Sequence, residues 1–355
     1  AFASLFYMKK TAWILSFLIP FQWLFLNRIK NHPDWIELYY SQKIYPLIFD
    51  SQRLFFQHVP ISLGDIIYAV LLILVIWSLI QLIQKKLKLK TALLYVFASA
   101  SVFSGLFYLN WGLNYHRIPL HEKLNYDLIY NEAELEITVE KLISKSNLLH
   151  DRLNNSDTLA VTIPYSKTEI LDLVEKEFDF NLFDFQVTPF AKNSLWSTPL
   201  SYMGYAGYLN PFTLEAQVNS KIPKLTYITT TAHEMAHQLG IASESEANFV
   251  AYYTISKHSD PFLQYSGAVF ALRYCYSELY KANPEAAQKQ LSKLNPGIIQ
   301  NFRELSAFWK KFQNPLEPYL KKGYDSYLKA NGQAMGIQSY NAMVAMLIAY
   351  SKKNP

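Results

Sequence analysis

The sequence predicts a mainly α-helical chain with an N-terminal membrane region and a larger α-rich domain carrying a small β-sheet. Three observations predict it. Long uncharged apolar runs crowd the first third of the chain. The basic excess flanks those runs. Beyond them, helix-period patterns are broken by regularly placed prolines. The 355 residues are 51% hydrophobic and only 17% charged, against roughly 25% charged in ordinary soluble domains. Disordered, collagen-like and coiled-coil classes are excluded by that composition. A single cysteine, Cys275, rules out an internal disulfide framework and reads as a small buried hydrophobe.

The apolar runs are 11–27, 66–84 and 91–112 within a membrane region of residues 1–115. A spanning helix needs about 20 apolar residues, so the second and third qualify and the first is at the short limit. Trp23, Trp77, Tyr108 and Trp111 lie near run ends, where interfacial aromatics gather. The first run is read as an uncleaved anchor. Met8-Lys9-Lys10 resembles the charged start of a signal peptide, but Leu26-Asn27-Arg28 offers no small-residue cleavage site.

Residues 1–112 hold ten basic and four acidic residues, whereas residues 113–355 hold 23 basic and 24 acidic. The excess flanks apolar runs instead of covering a folded domain, so the pattern points to a lipid bilayer as partner and to no nucleic acid. The 85–90 stretch KKLKLK places four lysines in a short loop, and such loops stay cytoplasmic. Everything after the third run is then extracytoplasmic. The 28–64 loop mixes aromatics with sparse charge and reads either as a helix in the membrane interface or as an ordinary packed loop.

Residues 116–355 form the second domain. Helical periodicity marks 131–153, 167–178, 262–282, 284–293, 298–313 and 340–352. The 185–228 stretch is rich in Thr, Tyr, Gly and Pro and reads as a small sheet or extended loops, with TYIT (226–229) as an alternating piece.

The chemistry concentrates in 233–237, HEMAH. Two histidines four apart project from one helix face, so His233 and His237 can both offer an imidazole nitrogen to one Zn²⁺. Glu234 adjoins the first ligand without taking a ligand position, where a general base for water belongs. Thr229–Thr231 are expected to cap the start of this helix, and Gly240 to end it. A histidine six residues beyond His237 would complete a metzincin set, but that position is Ser243. Glu244 and Glu246 remain as third ligands. Ser243 and Glu246 fit a capping box, which would occupy Glu246 and leave Glu244 for the metal. Asn248, one turn beyond Glu244, is placed to support a ligand histidine through its outer nitrogen.

ESEANFVA (244–251) resembles the E-x-x-A-D segment of gluzincin peptidases, especially membrane-embedded CAAX-type and stress-type zinc proteases. The resemblance gives the third-ligand role to Glu244 and sets Asn248 where those families keep aspartate. Those families space the motif and the glutamate further apart; here the turn at Gly240 must bring the chain back sooner. More broadly, the spans, SYMGYAGYLNPFTLEAQVN (201–219), HEMAHQLGIASESEANF (233–249) and GIQSY (336–340) resemble an uncharacterised family of bacterial inner-membrane proteins, a domain of unknown function.

The resemblance implies a membrane-anchored, α-rich (α+β), zincin-like metallopeptidase with Zn²⁺ as cofactor and a peptide or protein as substrate, though no particular substrate comes with it; the lysine loop sets the domain on the periplasmic side. In gluzincins an edge strand before the zinc helix pairs with substrate; 203–208 matches that position, with a purely structural hairpin as the alternative. Oxyanion stabilisation needs a further donor, for which Tyr340, His258 and Tyr252 are candidates, and Tyr340 is favoured because the resemblance includes it. The contrasting expectation is a catalytically inactive zincin-fold scaffold or binding protein in the membrane.

Overall fold

The first elements follow directly from hydropathy. A computed structural model describes residues 2–179, 181–183, 187–333 and 340–354. Helix α1 (Phe2–Ile29), α4 (Leu63–Ile83) and α5 (Leu89–Asn110) coincide with the three apolar runs. Each is long and apolar enough to cross a membrane, with mean hydropathy reaching 2.8 in α4. Pro20 sits within α1, which membrane helices tolerate better than soluble ones. Ser62 starts α4 by accepting a hydrogen bond from the Asp65 amide at 2.9 Å, the N-cap arrangement that satisfies an orphan donor.

Between α1 and α4 the chain is helical over residues 33–56. A short α2 (Pro33–Trp35) runs into a π-helical stretch, Ile36–Ile44, and then α3 (Tyr45–Phe56). The inner face carries Ile36, Tyr45 and Phe49, all essentially inaccessible, while Trp35, Leu38, Leu47 and Phe55 are exposed. Glu37 is buried there and accepts a two-pronged bond from Arg117, Nε to Oε2 at 3.0 Å and Nη2 to Oε1 at 2.9 Å. Such a pair costs several kcal/mol, about 3–5, to break from one side only.

Residues 1–117 and 210–214 form one compact unit, and 118–209 with 215–355 form the other. In the first, Phe212 packs edge-on against Tyr68 and Phe103, with ring centroids 6.4 and 5.6 Å apart.

The second unit opens with a one-turn α6 (Leu120–Lys123), followed by α7 (Glu132–Leu153) and α8 (Lys167–Lys176). Asn131 with Glu134, and Ser166 with Glu169, close full capping boxes at the starts of α7 and α8. Strand β1 (Ala191–Asn193), α9 (Ser197–Met203), β2 (Gly207–Leu209) and β3 (Ala216–Val218) follow. The sheet order is β1-β3-β2, with β1 parallel and β2 antiparallel to β3, so β2 lies at an edge. Next come α10 (Lys224–Gln238), α11 (Glu244–Lys257), α12 (Pro261–Ala282), α13 (Pro284–Leu291), α14 (Pro296–Phe312), α15 (Glu317–Ala330) and α16 (Tyr340–Lys353). Prolines stand at the first turns of α12, α13 and α14, where the missing N–H has no helical partner to lose.

The six helical segments expected beyond residue 130 are all present. Three local expectations are corrected. TYIT lies inside α10 rather than in a strand, because Thr226–Thr229 share the continuous apolar face of Tyr227, Ile228 and Met235, all fully buried. Thr229 and Thr231 are therefore not caps; their hydroxyls donate back to Thr226 O and Tyr227 O. The Ser243–Glu246 capping box does not form either. Ser243 Oγ contacts Ser245 Oγ at 2.9 Å, and Glu246 instead accepts from the Leu120 amide at 2.7 Å.

Candidate metal centre

Helix α10 is the centre of the second unit, lying against β2 and β3 on one side and α11 on another. It ends where expected: Gly240 takes φ +73°, a left-handed conformation that costs glycine least. That turn sends the chain into α11 within a few residues. It also sets the His237 ring, because His237 Nδ1 bonds Ile241 O at 2.6 Å. A carbonyl can only accept, so Nδ1 carries the proton and Nε2 presents its lone pair to the interior.

The turn brings Glu244 to the two histidines. His233 Nε2 lies 3.1 Å from His237 Nε2 and 3.2 Å from Glu244 Oε2, and His237 Nε2 lies 3.8 Å from Glu244 Oε1. One ligand atom from each of His233, His237 and Glu244 falls within 4.8 Å of the others. Ligands of a tetrahedral Zn²⁺ with bonds of about 2.0–2.1 Å stand about 3.3 Å apart, so the donor set and its spacing fit such an ion.

The electrostatics set the charge state of the cluster. Burial pushes the Glu244 carboxyl up, but the His233 hydrogen bond, the histidine charges and the Tyr324 hydroxyl outweigh it and bring it down to about 2. Burial pulls His237 down to about 4. At neutral pH the centre thus offers a neutral imidazole and an ionised carboxylate, the forms a metal binds. For His233, burial acts downward, yet the hydrogen bond to Glu244 and the charges of Glu234 and Glu244 leave its pKa raised.

Glu234 is buried and follows His233 on the helix. Burial pushes its carboxyl up to about 8, with the His233 charge opposing and the Glu244 charge adding. Its Oε2 is a buried polar atom without a hydrogen-bond partner among the described residues. Groups of this kind are uncommon and call for an explanation such as a reacting molecule or an ion. Gly207 of β2 presses on this residue: a Cβ there would stand 2.6 Å from Glu234 Oε1 and 2.7 Å from Gln217 O.

Asn248 is buried beside His233 and Tyr274 and influences the protonation of both. Glu246 stands apart from the His-His-Glu group, bound to Leu120 N and facing His121 Nδ1 at 3.7 Å. Two of the three oxyanion candidates have structural occupations. His258 is buried, with Nε2 3.1 Å from Leu173 O and Nδ1 accepting from the Asp260 amide at 2.9 Å. Tyr252 is buried, its hydroxyl pushed up to about 12 by burial, with Cys275 and Tyr350 contributing. The Tyr340 side chain and residues 336–339 of GIQSY lie outside the described residues.

Two participants were missed from sequence. Tyr324, on α15, donates its hydroxyl to Glu244 Oε1 at 2.6 Å and packs edge-on against Tyr205, with centroids 5.5 Å apart. Its segment, EPYLKKGYDSYLKA, buries only Leu328, so its helical period carries almost no core signal. Gly207 was readable only as one residue of the edge strand expected over 203–208; the strand is confined to Gly207–Leu209, because Met203 closes α9 and Gly204 caps it at φ +77°.

The fold and site define a mainly helical protein with three helices long and apolar enough to cross a membrane and a His-His-Glu cluster between two helices of its second unit. The chain belongs to the family described as "Protein of unknown function (DUF3810)", which matches residues 40–348. No curated protein and no solved structure gives a significant match to it.

Proposed function

We propose that the chain is a membrane-anchored zinc-dependent peptidase of gluzincin type with a zincin-like domain outside the cytoplasm. The observation that carries this reading is the convergence of His233, His237 and Glu244 on one point next to a buried glutamate with an orphaned oxygen. His233, His237 and Glu244 would hold the ion, and Asn248 would steady His233 from behind. A bound Zn²⁺ supplies Lewis acidity, polarising a peptide carbonyl and acidifying a water.

Glu234 is the proton carrier. Its unpartnered Oε2 is where a water proton can land, and its raised affinity for protons suits it to accept one and then deliver it to the leaving amine. Strand β2, at the sheet edge and in contact with Glu234 through Gly207, is the place for an extended peptide to add by main-chain hydrogen bonds. The substrate is thus an unfolded or extended protein segment.

Two measurements test the reading together. Elemental analysis of purified protein should find about one zinc per chain, and Glu234→Gln should keep that zinc while losing chelator-sensitive cleavage of an unfolded test protein. Absence of zinc ends the metal reading; zinc with full activity in the variant ends the role of Glu234.

A further inference from the structure

On helix α12, Tyr274 meets the charges of Arg273 and Glu244 and bonds Asn248, and Cys275 is fully buried. Turned about 100° away per residue, Arg273, Tyr276 and Ser277 border a groove of about 320 Å³. Its floor is apolar, made by Ile143 of α7, Leu272 of α12, Leu294, and Phe302 of α14. That volume lies at the small end of the roughly 300–1,000 Å³ typical of ligand pockets, and an apolar floor with a few converging polar groups is their usual composition.

The rim is cationic, and the Arg273 charge acts on the neighbouring Tyr274. Arg273 makes no ion pair or hydrogen bond among the described residues, and neither does Ser277. Carboxylates on α12 itself and on α7 are engaged elsewhere: Glu278 with Lys281 at 2.6 Å, Glu140 with Lys293 at 2.7 Å, and Glu136 with Gln290 at 2.9 Å. Arg273 and Ser277 are one helical turn apart and both line the groove, so they share one side of the helix. A guanidinium binds a carboxylate through two parallel hydrogen bonds.

We propose that this groove binds the C-terminus of a peptide ending in a bulky apolar residue. The terminal carboxylate sits on Arg273 and Ser277, and the last side chain fills the floor between Leu272, Leu294 and Phe302. Arg273 and Ser277 are exposed, so the groove opens to solvent along its polar side. A peptide keeps its polar main chain along that side, whereas a fatty acyl chain laid there would stay half wet. The site is separate from the His-His-Glu cluster and does not depend on its chemistry.

The test uses the full-length protein in detergent with a chelator present, so cleavage plays no part. The probe is an N-terminally fluorescein-labelled hexapeptide ending in phenylalanine, read by fluorescence polarisation. Saturable binding is expected, with the C-terminal carboxamide version about tenfold weaker or more. Arg273→Met, which keeps the apolar stem, should weaken the acid peptide by a similar factor and leave the amide unchanged. Ser277→Ala, a milder change on an exposed residue, should weaken it several-fold. Equal binding of acid and amide, an Arg273→Met variant that binds like the parent, or no saturable binding would each overturn the assignment. So would displacement of the probe by decanoate but not by unlabelled peptide.

Discussion

The Tyr324 hydroxyl donates to Glu244 Oε1 at 2.6 Å, joining α15 to the carboxylate that closes the His-His-Glu cluster. The bond occupies one carboxylate oxygen and leaves Oε2, 3.2 Å from His233 Nε2, directed into the cluster. Held in this way, Glu244 would be pre-set for one-oxygen coordination of the proposed zinc. Partners of metal ligands are worth about 10–100-fold in metal affinity. Tyr324→Phe, which keeps the ring against Tyr205, is therefore expected to weaken zinc binding by about tenfold or more, measured by chelator competition. Unchanged zinc affinity would reduce Tyr324 to a packing residue.

Gly207 supports a second expectation. Because a Cβ would meet Glu234 Oε1 at 2.6 Å and the backbone oxygen of Gln217 at 2.7 Å, Gly207→Ala forces β2 away from β3 or the carboxylate out of its place. Overpacking of this kind costs about 1–3 kcal/mol. Reduced thermal stability is expected together with loss of the proteolysis proposed for Glu234. An alanine variant with parental stability and activity would show that β2 yields freely and does not position the glutamate.

These two contacts mark the limit of what the sequence discloses. The spans were legible because nearly every residue of α4 contributes to one apolar signal. The long helices of the second unit were legible because Leu135, Val139, Leu142 and Ile143 repeat on one buried face of α7. The ligand candidates were legible because one helical turn fixes His233 against His237 and a short spacer limits where Glu244 can go. Tyr324 was not, since it reaches the cluster from 80 positions away on a helix that buries almost nothing. The capping argument placed Glu246 outside the cluster for the wrong reason. What holds Glu246 is the amide of Leu120, a tertiary contact 126 residues distant that no local pattern encodes.

Membrane orientation gives a prediction that is independent of the metal. The lysine loop at 85–90 should be cytoplasmic and Asn283, which caps α13, extracytoplasmic. The only native cysteine, Cys275, is buried, so an introduced cysteine reports cleanly. In intact cells an impermeant maleimide should label Asn283→Cys and spare Lys88→Cys. The reverse pattern would place the second unit on the cytoplasmic side and remove it from extracytoplasmic substrates.

His121 supplies the pH dependence. Its Nδ1 stands 3.7 Å from Glu246 Oε1, the oxygen that also accepts from the Leu120 amide. The Glu246 hydrogen bond raises the His121 pKa; burial opposes, and the Glu246 and Glu122 charges add. The folded state therefore binds this proton more tightly than the unfolded chain, whose imidazole titrates near 6.5. The resulting stabilisation is fully present below about pH 6.5 and disappears as pH rises through the higher folded value. The ring is partly exposed, so solvent screening keeps the contribution below about 1 kcal/mol. His121→Asn should consequently lower the unfolding midpoint of the second unit at pH 5.5 more than at pH 8.5. An equal loss at both pH values would mean that the His121–Glu246 contact acts through neutral packing, and the charge on the imidazole would have no part in holding α6 against α11.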